Sequence, residues 1–452
     1  MKHRYFAIAI LFLGHMTYGQ NQECQNNLSI YDGYVKTKNL EDAYLPWKMV
    51  YDSCPGIHWA NFSHGKKILE YKIGKSSDSE KKRYIKELLD LYDHSIEVFP
   101  EKTKETIVII DKVKLRYDHK MISNEEIYTE LGAAFEKDRI NFKDPKALYL
   151  YFSSAMDLNK LGKTAVNEVF EVYDVVVEKI EEENLKLTDA IAPLLQKEEK
   201  KILGTKEKQR LRSYTSYSEN YGRISSSIEV KLGALANCDN LIDIYQKNFM
   251  DKKEDVVWVK KAVSRMFNKK CMEAPMFKKL FDQQLHLDPS ADAYLYSGIL
   301  KIKEGDTQGA ILDFNEAMEL EDDSKKKSDI AYKIAAFYEK DNKLRARDFA
   351  QKAIKNNASH GKAYLLLASL YAGSANDCGS DPFEKRAMYW KAANLARRAI
   401  KVDPSLRAYA NKFIKSYEGR APTKEMIFNK EMGGKTIFFK CWIGGSVVVP
   451  KL

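Results

Sequence analysis

The residues best equipped for acid–base, nucleophilic or metal chemistry in this chain are its histidines and cysteines, and their spacing limits what they can do. Beyond the first nineteen residues the histidines are His58, His64, His94, His119, His286 and His360. None stands in an H-E-x-x-H pattern, no serine occupies a nucleophile elbow, and no glycine-rich loop is built to cradle phosphate. His94 follows Asp90 by four residues and shares a helix face with it, which reads as a surface pair rather than a catalytic dyad. The sequence therefore offers no catalytic residue, no metal ligand set and no cofactor motif, and points to a non-enzymatic protein. A hydrolase assembled from distant residues is the less favoured alternative.

The cysteines are Cys24, Cys54, Cys238, Cys271, Cys378 and Cys441. No two form C-x-x-C, so neither zinc binding nor thioredoxin-like exchange is indicated. Six cysteines allow about 15 connectivities, and spacing chooses among them. Cys24 and Cys54 are 30 residues apart, and Cys238 and Cys271 are 33 apart, each about one helical hairpin. In an antiparallel hairpin the first helix begins beside the end of the second, so a bridge there closes the open end. Cys378 and Cys441 are left to join each other.

Pairing of this kind needs an oxidising compartment. Lys2, His3 and Arg4 precede the apolar run Phe6 to Leu13, and the small residues Thr17 and Gly19 follow, as a secretory signal requires. We expect residues 1–19 to be removed near Gly19, leaving an exported, soluble periplasmic chain. The run falls short of the roughly 20 apolar residues of a membrane span. Asn21, Gln22 and Glu23 before Cys24 are not the small residues of a lipid-anchor site. Loss of Lys2 and Arg4 lowers the net charge from +10 to +8. Lysine and glutamate alternate, as in Glu198, Glu199, Lys200 and Lys201, which describes a solvated helix surface rather than a nucleic-acid stripe.

These groups are positioned by helices. Only 22 Gly and 11 Pro occur in 452 residues, too few for an all-β chain with a turn every 8 to 12 residues or so. Between Ala291 and Asp322, the residues Tyr294, Gly298, Gly305, Ala310, Phe314, Ala317 and Leu320 hold the offsets at which two helices pack closely. This pattern resembles the tetratricopeptide repeat, whose unit of about 34 residues stacks into a solenoid. The resemblance implies a protein-binding scaffold with no chemistry of its own.

A divergent copy occupies residues 20–63: Tyr31 and Tyr34 on a first helix, Ala43 and Trp47 on a second, and Pro55 closing it. Pro46 inside the second helix predicts either a first-turn position or a kink. Residues 64–237 read as six to eight less regular helices. Ser123 with Glu126 three residues on predicts a capping box, and Val166 to Ile180 reads as helix despite its valines. Lys206 to Asn237 is one long amphipathic helix whose tyrosines Tyr214, Tyr217 and Tyr221 are more naturally core than groove.

The array proper spans residues 238–421. Its next hairpins place Ala346, Ala350 and Ala353, then Ala392, Ala396 and Ala399, on second helices. The spacing from Tyr364 to Ala392 is 28 where the regular repeat has 16, so twelve extra residues, Cys378 among them, are expected in that intra-hairpin turn. Residues 422–452 change grammar: Lys435 to Trp442 and Ser446 to Val449 are β-rich around Gly444-Gly445, predicting a hairpin that must be stapled or paired.

The expected fold is thus all-α, a right-handed helical-hairpin solenoid with a small C-terminal β-hairpin. Pro46-Trp47, Cys54-Pro55, Cys378-Gly379, Phe383 to Ala387, Tyr389-Trp390 and Trp442 to Gly445 further resemble an exported tetratricopeptide family of the Bacteroidota. Peptide-clamping relatives place Lys and Asn on the first helices. Here the corresponding positions are Leu295 and Ile299, Ala331 and Ala335, and Leu365 and Ser369, so a carboxylate clamp is absent. An apolar groove of Leu295, Ile299, Ile302, Tyr338, Leu365 and Tyr371 is expected instead, with a protein or peptide as partner. A soluble glycan-binding protein of a nutrient-uptake system is the alternative, and an exposed platform at Trp59, Trp258 or Trp442 would favour it.

Overall fold

The computed structural model describes residues 22–233 and 235–452; the expected signal and its expected cleavage near Gly19 lie outside them. The chain divides between Ala165 and Val166 into two compact units. The first opens with α1 (22–36) and α2 (Leu40–Ser53), followed by α3 (Ala60–Lys75), α4 (Asp78–Val98), α5 (Glu105–Asp118), α6 (Asn124–Lys137) and α7 (Pro145–Lys160). From α2 to α7 each helix packs on its neighbour in sequence.

Its core gathers around Trp47, whose indole N–H donates to the Asn61 carbonyl at 2.7 Å and whose ring stacks on Tyr51 at 5.3 Å. A Cβ on Gly65 would lie 2.6 Å from that indole, so α2 and α3 meet only because Gly65 has no side chain. Cys24 is bonded to Cys54, Cα atoms 6.5 Å apart. Pro46 lies well past the first turn of α2, so the Asp42 carbonyl loses its usual helical donor. Ser123 and Glu126 form the expected capping box of α6. His94 shares a hydrogen bond of 3.2 Å with the Tyr51 hydroxyl rather than with Asp90.

The second unit begins with two long helices, α8 (Val166–Glu199) and α9 (Thr205–Leu232). Then come α10 (Cys238–Lys252), α11 (Val256–Asn268), α12 (Pro275–Leu287), α13 (Ala291–Lys303), α14 (Thr307–Leu320), α15 (Ser324–Tyr338), α16 (Lys343–Asn356), α17 (Gly361–Ala372), α18 (Pro382–Val402), α19 (Arg407–Arg420) and α20 (Lys424–Asn429). Strands β1 (Thr436–Phe438) and β2 (Ser446–Val448) close the chain as an antiparallel pair. The fold is all-α and tetratricopeptide-like, with a two-stranded hairpin at its end. In α9, Tyr221 is buried, Tyr214 half-buried and Tyr217 exposed, so the tyrosine stripe is only partly core.

Alanines make the hairpins close: Ala310, Ala317, Ala346, Ala350, Ala353, Ala392, Ala396 and Ala399 are fully buried. The long spacing before Ala392 resolves differently from the expected turn. Part of it extends α18, which runs to 21 residues against 14 for α14, and the remainder is a short 3-10 turn and loop at residues 373–381. Pro382 at the first helical position and the Asp381 carboxylate accepting from Glu384 N at 2.9 Å start α18 early. The strands are also shorter than expected, because Cys441 and Trp442 leave β1 to meet the array.

Candidate functional site

The six apolar groove candidates fall in the packing seam of the array. Leu295 and Ile299 on α13 are buried, as are Tyr338 on α15, Leu365 and Tyr371 on α17; Ile302 is half-buried. The reason is that their faces are met by second helices: Leu365 packs with Ala392, Ala396 and Ala399 of α18, and Tyr338 stacks on Phe349 of α16. Tyr338 accepts from Arg345 at 3.1 Å and lies 6.0 Å from the Phe314 ring. Tyr371 is covered by Trp442 from the C-terminal tail, ring centroids 6.1 Å apart. Burial raises its hydroxyl pKa.

That tail is anchored to the array at several points. Cys378 in the α17–α18 loop is bonded to Cys441, Cα atoms 5.3 Å apart. Arg347 on α16 donates to the Trp442 carbonyl and lies 5.7 Å from its ring. Lys391 on α18 stands 5.8 Å from both the Tyr371 and Phe439 rings, and burial lowers its pKa. Lys430 pairs with Asp381 at 2.8 Å, and Arg386 donates to the Arg420 and Ala421 carbonyls at 2.9 and 3.2 Å. The loop itself is tight: Gly379 adopts φ +119°, and a Cβ there would lie 2.6 Å from Lys385 N.

On this anchorage the hairpin turns one face inward and one outward. Ile437, Phe439, Ile443, Val447 and Val449 are buried. Thr436, Phe438, Ser446 and Val448 face solvent, Phe438 being 72% exposed and Val448 63%. Phe428 and Leu452 of the same tail are 70% and 61% exposed. Sequence periodicity could not find this face, because Ile437-Phe438-Phe439 and Val447-Val448-Val449 are apolar on both sides of the strand.

A second feature is a cleft of about 170 Å³ between α8, α10 and α11. Arg265, nine-tenths buried, donates to the Tyr245 hydroxyl at 2.6 Å and to Asp174 at 2.5 Å, and its guanidinium lies 4.5 Å from the Phe170 ring. Burial works to lower the Arg265 pKa, but Tyr245 and Asp174 raise it overall; burial also raises that of Tyr245. Trp258 meets Tyr245 edge to face at 5.7 Å and lines the cleft half-buried, with Asp255 and Lys261 nearby. The bonded Cys238 and Cys271 hold α10 to the end of α11, Cα atoms 5.4 Å apart. Asp174 and Arg265 are 91 residues apart, and no local pattern announces their meeting.

Trp59 and Trp442 are likewise half-buried, packed against Phe62 and Phe99, and against Tyr371, so neither is an open platform. Among the described residues no group of three or more His, Cys, Asp and Glu is placed to hold a metal ion, and no helix is long and apolar enough to cross a membrane.

No family model matches the chain, and no curated protein does. Solved structures of repeat proteins align with it at low identity. A tetratricopeptide repeat protein from Parabacteroides merdae is 13% identical over 68% of this chain and 97% of that one, with a TM-score of 0.27. Yeast Tom70 is 12% identical over 91% and 94%, TM-score 0.27. The TPR2AB domain of yeast Sti1, solved as a complex with pHSP90, is 13% identical over 69% and 98%, TM-score 0.23. At such scores the alignments carry nothing about partners or activity.

Proposed function

We propose that this protein is a non-enzymatic scaffold of the cell envelope, exported and oxidised, that holds a protein or peptide partner on its repeat array. The observation that carries the reading is the C-terminal hairpin. A lone two-stranded hairpin is marginal in water, yet this one is bonded to the α17–α18 loop, stacked on α17 and hydrogen-bonded to α16, with an apolar face left outward. Fixing such a face to a solenoid is the arrangement expected of a docking platform. Export agrees with three disulfides among the described residues.

The test is crosslinking of the tagged mature protein in intact cells, followed by mass spectrometry of the crosslinked peptides. We expect one envelope protein to crosslink reproducibly to residues 291–452. Recovery of the protein alone at high crosslinking efficiency would overturn the scaffold reading.

The cleft at Trp258 favours a second reading, a small glycan site. A half-exposed indole beside Asp174, Asp255 and Lys261 offers a stacking face together with donors and acceptors for hydroxyl groups. Quenching of tryptophan fluorescence by neutral oligosaccharides, lost in Trp258→Ala, would support it; unchanged fluorescence across a broad sugar panel would remove it.

A further inference from the structure

We infer that the outer edge of β1 receives an extended, carboxylate-bearing segment of the partner protein as a third strand. This rests on the scaffold reading and names its contact. The register pairs Ile437 with Val447, and the flanking bonds Val449 N to the Lys435 carbonyl and Phe439 N to the Gly445 carbonyl share that parity. Residues 435, 437 and 439 therefore aim backbone groups at β2, and Thr436 and Phe438 aim theirs the other way. Among the described residues no backbone group meets the Thr436 and Phe438 amides and carbonyls on that side. Of the two strands β2 packs against α18, while β1 makes no comparable contact with any helix, so the β1 edge is the more open of the two. The two alternate residues Thr436 and Phe438 supply the donors and acceptors a third strand requires.

The charge around this edge selects the occupant. Lys435 and Lys440 bracket β1, and Lys424 and Lys451 lie in the same tail; all four are exposed, and none has an ion-pair partner among the described residues. Lys430, by contrast, is committed to Asp381. A second copy of this chain pairing through β1 would bring the two sets of lysines onto one interface, and like charges across strands repel. A strand carrying Glu or Asp at its ends would instead turn Lys435 and Lys440 into cross-strand pairs. Its alternate apolar residues would extend the surface begun by Phe438 and Val448. The same lysines thus guard the edge against self-association and admit an acidic partner.

The experiment uses the oxidised mature protein and fluorescein-labelled peptides of alternating valine and threonine, flanked either by glutamates or by lysines, with binding followed by anisotropy. We expect the glutamate-flanked peptide to bind and to weaken as salt rises, and the lysine-flanked one to bind about ten-fold more weakly or worse. Methylating alternate backbone nitrogens of the acidic peptide should abolish binding without changing its side chains. The charge reversal Lys435→Glu with Lys440→Glu should exchange the preference. Thr436→Pro, which removes an outward amide and no ladder bond, should weaken binding with the circular-dichroism spectrum unchanged. Equal binding of the methylated peptide, or no binding of any peptide, would overturn the strand proposal, as would a dimer in sedimentation that Thr436→Pro dissolves. If peptides fail while in-cell crosslinks to a partner persist elsewhere on the array, the strand proposal falls and the scaffold stands. If no crosslinks form at all, the scaffold reading falls with it.

Discussion

Gly222 on α9 lies against the backbone of Ser405, so close that a Cβ at 222 would fall 2.6 Å from the Ser405 carbonyl carbon. The contact joins the long helix α9 to the turn between α18 and α19. Asn184 on α8 reinforces it: its amide N–H groups reach Asp403 at 3.2 Å and Ser405 at 3.4 Å, and its carbonyl accepts from Ser218 at 2.7 Å. The two long helices thus grip the array at its last full hairpin. Nothing in the helical periodicity of residues 206–237 marks Gly222 for this role.

Gly222→Ala is expected to destabilise the second unit by about 1–3 kcal/mol, since the obstacle is backbone that cannot rotate away. Gly419→Ala on α19, where nothing lies within 4 Å, should instead stabilise by about 0.5–1 kcal/mol, through helix propensity alone. Urea unfolding of both variants checks the contrast, and a loss of similar size in each would contradict it.

The fully buried Lys179 ammonium on α8 is 2.7 Å from Glu183, which also takes a bond of 2.8 Å from Lys186. Burial works to raise the Glu183 pKa, but its two lysine partners lower it overall. Glu183→Ala would leave the Lys179 charge with the more distant Glu182, at 3.5 Å, and is expected to cost about 3–5 kcal/mol. Replacing both residues with Met should cost much less than that single change, and denaturation of the two variants measures the difference.

His64 should make the first unit sensitive to mild acid. Burial lowers its pKa below 6.5, outweighing the Asp32 carboxylate at 3.6 Å. A depressed folded value means that the unfolded chain binds the extra proton first. The neutral imidazole therefore contributes its stability above about pH 6.5, and that contribution is lost as pH falls through the lower folded value. His64→Gln should flatten the stability profile in this window. An unchanged slope in a titration of melting temperature would exclude His64 as its source.

Breaking the Cys378–Cys441 bond by Cys378→Ser with Cys441→Ser should free the tail while leaving the array folded. The closed segment spans 63 residues, and the chain-entropy account gives its closure about 4 kcal/mol. Hydrogen exchange should then quicken at Ile437 and Val447 but not along α13 to α16. Uniform loss of protection would mean that the tail holds the whole array together.

Much of this architecture was legible because it is local. Ser123 and Glu126 announce the cap of α6 from three residues apart. Gly298 and Phe314 hold the offsets at which α13 and α14 must touch, and a Cβ on Gly298 would lie 2.5 Å from the Phe314 ring. Alanine spacing placed the second helices for the same reason, since only small side chains let helix axes approach. Where a reading needed the neighbour of a face, local pattern was not enough. Leu295, Ile299, Tyr338, Leu365 and Tyr371 have the composition of an apolar groove and the environment of a core, and the difference lies in what α13, α15 and α17 press against. The extra residues before Ala392 were countable, but tertiary packing divided them between two more turns of α18 and the loop that presents Cys378. The sequence by itself determined which segments become helices and which strands, though not every boundary, because hydrogen bonds within a helix and the periodicity of side chains are short-range. Only the tertiary structure decided that Phe438 and Val448 face solvent while Ile437 and Val447 face the array, because a strand apolar on both sides takes its inside from the surface it meets.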